Sequence, residues 1–170
     1  MNAIIMLVVV LLPILAGLPV PILPFRNRKQ LMWYVEGVTV ITSVLVLVML
    51  MNRPDSSLVL FRFSENMLLQ FHLDGLGMVF AGMVAILWPL AILYSFEYMK
   101  HEGHEKSFFM FYTITYGITL GVALSGDIVT MYVFFEMLSL VTVPLVMHTL
   151  TREAIHASRT YFFYMIGGAA

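Results

Sequence analysis

Ile128-Val129-Thr130-Met131-Tyr132-Val133-Phe134-Phe135-Glu136-Met137-Leu138-Ser139-Leu140-Val141-Thr142-Val143-Pro144-Leu145-Val146-Met147 decides the fold. The run is apolar throughout and does not alternate between apolar and polar residues. That is the pattern of a helix surrounded by lipid, which needs about 20 residues to span a bilayer. Its sole carboxylic acid is Glu136, and it holds no Lys or Arg. A carboxylate at bilayer depth costs several kcal/mol or binds a proton, so Glu136 is a functional candidate by default.

Outward from that run, the same texture recurs. Apolar stretches cover residues 4–23, 31–51, 76–96, 107–124 and 128–147, and another opens at 154 and continues to 170. The chain is 61% hydrophobic and 11% charged, where a soluble domain averages about 25% charged residues. Mean hydropathy is +0.92. Continuous runs exclude a β-barrel, and a spanning segment must satisfy its own backbone hydrogen bonds. The expected fold is therefore all-α: a polytopic transmembrane bundle of five complete spans plus the start of a sixth, in one domain over residues 1–170. Pro13, Pro19, Pro21 and Pro24 should bend or unwind the end of the first helix, and Pro89 should kink the third. The N-terminus lacks a basic n-region and a small-residue cleavage pattern, so the first run reads as a retained helix.

Charge in the connections orients the bundle. Odd-numbered connections carry Arg26, Arg28, Lys29, Lys100, Lys106, Arg152 and Arg159; even-numbered ones carry only Arg53 and Arg62. Seven against two places the odd connections in the cytoplasm and the N-terminus outside, in a multi-pass protein of the cell's inner or plasma membrane. Within the long connection 52–74, Leu69-Gln70-Phe71-His72-Leu73-Asp74 alternates strictly. With Leu58 to Phe63 before it, this predicts a short β-hairpin on the outer face.

Several side chains could carry chemistry. Tyr132 and Ser139 share the Glu136 face of the fifth helix, and Pro144 leaves the Leu140 carbonyl without its helical donor. Tyr112, Thr115, Tyr116 and Thr119 form a stripe on the fourth helix, either lining a hydrated path or bonding helix carbonyls. Gly117 with Gly121, and Gly77 with Ala81 and Ala85, are close-packing faces. Asp74 and Asp127 read as helix N-caps. His148, at the cytoplasmic end of the fifth helix, could relay a proton to Glu136. The proton-path candidates are thus Glu136, Tyr132, Ser139, His148, Thr115 and Thr119. The His101-Glu102-Gly103-His104-Glu105 spacing does not match a zinc-protease helix. There is no Cys, Walker loop, dinucleotide fingerprint or nucleophile motif, and no basic cluster for nucleic acid. No cofactor or metal is expected within this chain.

Phe71-His72-Leu73-Asp74-Gly75-Leu76-Gly77 resembles the entry to the third helix of antiporter-like membrane subunits. That group comprises proton-translocating subunits of respiratory complex I and membrane-bound hydrogenases, and the large subunits of Mrp-type cation/proton antiporters. Ser125-Gly126-Asp127-Ile128 through Leu140 resembles the family's fourth-to-fifth helix segment, and Ala157 to Phe162 with Gly167 to Ala170 its sixth helix. The resemblance implies that Glu136 is the helix-5 glutamate of the proton path, with Phe135 where relatives often carry Trp. Family members contain two inverted repeats, and the lysines completing the path lie on later helices. The chain then corresponds to the N-terminal third of a longer antiporter-like fold, a fragment or one piece of a split subunit.

The function so implied is proton translocation within a multisubunit redox-driven pump or cation/proton antiporter, with no catalytic redox site of its own. Its expected partners are other membrane subunits, the lipid bilayer, and protons, with Na⁺ as a candidate exchanged ion. The alternative is a structural or assembly subunit with Glu136 as a buried interhelical ion-pair partner.

Overall fold

The computed structural model describes residues 2–52, 57–64, 67–101, 103–147 and 151–169. Six helices carry the fold: α1 (Asn2–Gly17), α2 (Arg28–Asn52), α3 (Gly75–Tyr98), α4 (Glu105–Ala123), α5 (Ile128–Val146) and α6 (Arg152–Ala169). Two strands, β1 (Leu58–Ser64) and β2 (Met67–Phe71), join α2 to α3 as an antiparallel hairpin. The expected helical membrane protein with a small hairpin is therefore present.

The number of complete spans is corrected. Among the described residues three helices, α2, α3 and α5, are long and apolar enough to cross a membrane. The first apolar run predicts a helix over 4–23, but the helix stops at Gly17 and the chain turns through residues 18–27. Pro19, Pro21 and Pro24 cannot donate to a continuing helical ladder, and the turns close locally through Val20 N to Gly17 O and Leu23 N to Pro19 O. Sixteen residues reach about 24 Å, short of a hydrocarbon core of about 30 Å. In α4, Glu105, Lys106 and the Thr and Tyr stripe dilute the apolar run; α6 carries Arg152, Glu153, His156 and Arg159.

The helices alternate between two ends of the bundle. At one end the α1–α2 and α3–α4 connections are tied together. Arg28 Nε meets Glu105 Oε1 at 2.6 Å, its Nη2 donates to the Phe96 carbonyl, and Lys106 Nζ donates to the Leu23 carbonyl. At the other end β2 runs onto the α4–α5 turn: His72 N bonds Leu124 O, Gly126 N bonds Gln70 O, and Phe71 bridges Ser125. A side chain at Gly126 would meet His72 Cβ at 2.9 Å, so that turn needs glycine for the strand to approach.

Small residues set the packing. Gly117 brings α4 against the Val10 carbonyl of α1, and Gly121 receives the Phe134 ring of α5. The Gly77, Ala81 and Ala85 face of α3 is buried as its spacing predicts. Asp74 and Asp127 are the expected N-caps: Asp74 Oδ1 accepts from Gly77 N at 2.6 Å, and Asp127 Oδ1 from Thr130 N at 2.7 Å. Large apolar side chains such as Leu76, Phe80, Ile86 and Leu90 stay exposed along α3, as lipid contact requires. Trp33, Tyr94 and Tyr98 are exposed at the Arg28–Glu105 end, where interfacial aromatics belong.

Candidate functional site

Glu136 lies midway along α5, which runs from Ile128 to Val146. Its Oε1 is buried and has no hydrogen-bond partner among the described residues. Ion pairs among the described residues are Arg28–Glu105 and Lys100–Glu97, neither involving Glu136. An acceptor in this state loses the free energy of its missing bonds, of order 1–3 kcal/mol and more when charged. That acceptor has no donor from its own helix.

The surroundings of Glu136 explain why it stays unpartnered. Phe134, two positions earlier and so on a different face, is the residue that docks into α4, against Gly121 and with its ring 5.3 Å from that of Phe71. The Glu136 side of α5 instead carries Tyr132 and Leu140, both exposed, and the buried Ser139. Ser139 Oγ donates to the Phe135 carbonyl at 3.0 Å, leaving its lone pairs to accept. One turn on, Thr142 Oγ1 and the Tyr161 hydroxyl of α6 are 3.0 Å apart, and Thr142 donates to Ser139 O at 2.8 Å. Ser139 and Thr142 thus each bond a carbonyl of their own helix, and the Thr142–Tyr161 hydroxyl pair ties α5 to α6. The adjoining groove of about 560 Å³ is lined by Val143, Met147, Ser158, Arg159, Phe162 and Phe163, which puts a guanidinium on the α5–α6 seam.

The remaining sequence candidates divide. Thr115 Oγ1 donates to Phe111 O at 2.7 Å and Thr119 Oγ1 to Thr115 O at 2.8 Å, so both bond their own helix and retain only acceptor capacity. Neither is brought to Glu136 by a hydrogen bond. His148 lies outside the described residues. Glu105 of the His-Glu loop is committed to Arg28.

A second group of polar atoms has no sequence signal that joins its members. Ser43 Oγ of α2 and the Tyr116 hydroxyl of α4 are 2.8 Å apart in the interior. Trp88 of α3 stacks on both Tyr112 and Tyr116, at 5.3 and 5.1 Å between ring centroids. Its Nε1 is buried without a partner among the described residues, and so is Glu36 Oε2 on α2. The criterion that singles out Glu136, an acid inside an apolar run, applies equally to Glu36 within residues 31–51.

With the geometry in hand, comparison places the chain among known proteins. Residues 64–109 match the family described as NADH-Ubiquinone oxidoreductase (complex I), chain 5 N-terminus. The chain is 26% identical over 168 residues to the Na⁺/H⁺ antiporter subunit A1 of Staphylococcus aureus, covering 95% of this chain and 21% of that protein. The same subunit of the JH9 strain matches equally, at 26% over 168 residues. The chain thus spans about a fifth of the length of these relatives (21%). A chain of the membrane-bound sulfane sulfur reductase, an archaeal respiratory membrane complex, has the same fold, with a TM-score of 0.77 at 17% identity over 93% of this chain and 33% of that one. The likeness to antiporter-like and complex I-type membrane subunits drawn from sequence is borne out.

Proposed function

We propose that this chain forms part of a proton-translocating membrane subunit in a multisubunit pump or cation/proton antiporter, and that Glu136 is its key intramembrane carboxylate. The carrying observation is Glu136 Oε1, buried and without a partner among the described residues, midway along a helix long and apolar enough to cross a membrane. Support comes from relatives named as antiporter and complex I components, which are longer than this chain. The chain then supplies the N-terminal part of a larger fold. A lysine on a later helix completes the ion pair, with the energy input in partner subunits.

In this mechanism Glu136 alternates between pairing with that lysine and releasing it. While paired, the carboxylate holds the ammonium form. When the pair opens, the lysine sheds its proton to the water and hydroxyl chain, and Glu136 binds or passes one in turn. Ser139, one turn from Glu136, keeps acceptor capacity for a water beside the carboxylate, and the Thr142–Tyr161 hydroxyl pair lies further along the same helix. Tyr132 flanks the carboxylate, and Thr115, Thr119 and His148 are the outlying candidates. The basic connections face the cytoplasm and the N-terminus lies outside, by the excess of Lys and Arg in odd-numbered connections. Na⁺ is the candidate counter-ion.

The test is Glu136→Gln in the complete assembly, reconstituted into vesicles. Proton flux should fall to background while the subunit still assembles. Wild-type flux would refute the reading, and loss of assembly with Glu136→Gln would favour a structural ion pair.

A further inference from the structure

Glu36 Oε2, buried and without a partner among the described residues, lies on a polar face of α2 that nothing in the Glu136 mechanism uses. One level of a polar track along that face is fixed by contacts, and helical periodicity places the second. At the inner level Ser43 of α2 bonds Tyr116 of α4, and Trp88 of α3 lies against Tyr116 with ring planes 12° apart. Seven residues along each helix returns to nearly the same face, about 10 Å away. From Ser43 that step towards the Arg28–Glu105 end reaches Glu36; from Trp88 it reaches Ser95. The helices α2 and α3 are antiparallel, with Leu50 Cδ1 3.4 Å from where a Gly82 side chain would begin, so Glu36 and Ser95 share an outer level. Ser95 Oγ donates to the Ala91 carbonyl of its own helix and keeps acceptor capacity, and the Trp88 ring spans from Tyr112 to Tyr116.

The charged groups nearby are engaged elsewhere or turned outward. On α2, Arg28 holds Glu105 and the Phe96 carbonyl, and Lys29 is exposed at the helix start. On α3, Glu97 pairs with Lys100 on the exposed side. On α4, Glu105 is taken by Arg28, Lys106 donates to Leu23 O, and Tyr112 and Tyr116 are neutral phenols. Helix α1 carries no charged side chain. The ion pairs among the described residues leave Glu36 out.

Two orphans of opposite polarity identify the ligand. Glu36 Oε2 accepts and Trp88 Nε1–H donates. A metal cation would suit the carboxylate but needs several oxygen ligands, and the indole N–H opposes it. Water suits each orphan in turn, donating to the carboxylate at Glu36 and accepting from the indole at Trp88. We propose that Glu36 is a second proton-holding site, in a water-bridged track between α2, α3 and α4 that leads from the Arg28–Glu105 end of the bundle to the Ser43–Tyr116 pair. A proton arriving through that water bonds to Oε2, and the neutral carboxyl then donates where it had accepted.

The labelling test is independent of the Glu136 reading; only the flux arm rests on it. Membranes holding the complete assembly are treated with dicyclohexylcarbodiimide. This apolar reagent takes the proton of a protonated carboxyl onto nitrogen while its central carbon bonds the carboxyl oxygen, and the adduct rearranges to a stable acylurea. Peptide mass mapping should find the adduct on Glu36, with a yield that falls as pH rises, and find it unchanged in Glu136→Gln. An unlabelled Glu36, or a pH-independent yield, overturns the proposal. In the flux arm, Glu36→Gln should slow proton flux about tenfold or more at wild-type assembly, with partial recovery in Glu36→Asp. Unchanged flux at wild-type assembly also overturns it. If Glu36→Gln fails to assemble, the labelling of the unmutated chain decides. Labelled Glu36 with undiminished flux in Glu136→Gln would keep this site and discard the function proposed for Glu136.

Discussion

Gly121→Ala should loosen the α4–α5 contact by an amount the structure sets. A Cβ there would sit 2.9 Å from Phe134 Cγ and closer still to Cδ1 and Cε1. Carbon atoms at rest are about 3.5–4.0 Å apart, so the ring would have to retreat by more than about 1 Å. It has little room to do so. The buried Phe71 ring is 5.3 Å away on the hairpin, and that hairpin is bonded to the α4–α5 turn. Overpacking of this kind costs about 1–3 kcal/mol, and the clash with a confined ring points to the upper half. The gain in helix propensity from Gly to Ala, about 1 kcal/mol, offsets part of it.

Gly37 is the matched control. Nothing lies within 4 Å of a Cβ there, so Gly37→Ala in α2 keeps the propensity gain alone. Thermal unfolding of the detergent-solubilised assembly should therefore separate the two variants, Gly121→Ala below wild type and Gly37→Ala at or above it. Phe134→Leu should relieve the clash, so the double variant Gly121→Ala with Phe134→Leu should lose less than the two single losses added, by about 1 kcal/mol or more. A Gly121→Ala protein as stable as wild type, or strict additivity with Phe134→Leu, would refute the claim that ring-on-glycine packing positions α5.

Two other outcomes follow from contacts at the helix ends. Asp127→Ala removes the acceptor for Thr130 N and for Thr130 Oγ1, whose own oxygen accepts from Gln70 N, so it should cost about 1–2 kcal/mol and speed amide exchange at Thr130 and Gln70 together; faster exchange at Thr130 alone would show that the cap does not hold the hairpin. Arg28→Lys should recover little of the loss caused by Arg28→Ala, because one ammonium replaces a planar fork that serves Glu105 and the Phe96 carbonyl at once; full recovery in thermal unfolding would reduce that contact to simple charge pairing.

Particular residues show how far the sequence could be read. Glu136 stands out because an acid within an apolar run is costly wherever the helix is placed. Glu36 satisfies the same rule but sits close to the start of its run, within two turns or so of Arg28 and Lys29, where an acid can reach water or a basic neighbour. That one of its oxygens is buried is a fact of the folded bundle. Tyr112, Thr115, Tyr116 and Thr119 are legible as a stripe. Their fates diverge, since Tyr116 meets Ser43 across the bundle while Thr115 and Thr119 turn back on their own helix.

The sequence by itself determined that the chain is helical and membrane-embedded, because unbroken apolar runs leave the backbone no partner but itself. It also determined local features: the caps at Asp74 and Asp127, the hairpin alternation, and prolines that disturb the end of the first helix, though not that α1 stops at Gly17. Tertiary structure alone decided which faces meet. A lipid-facing helix is apolar all round, so its periodicity does not point to its neighbour. Gly121 against Phe134, Arg28 with Glu105, and Trp88 between two tyrosines of α4 all join residues of different helices. Glu36 Oε2 and Glu136 Oε1 are buried without partners among the described residues, which no reading of one helix at a time could establish.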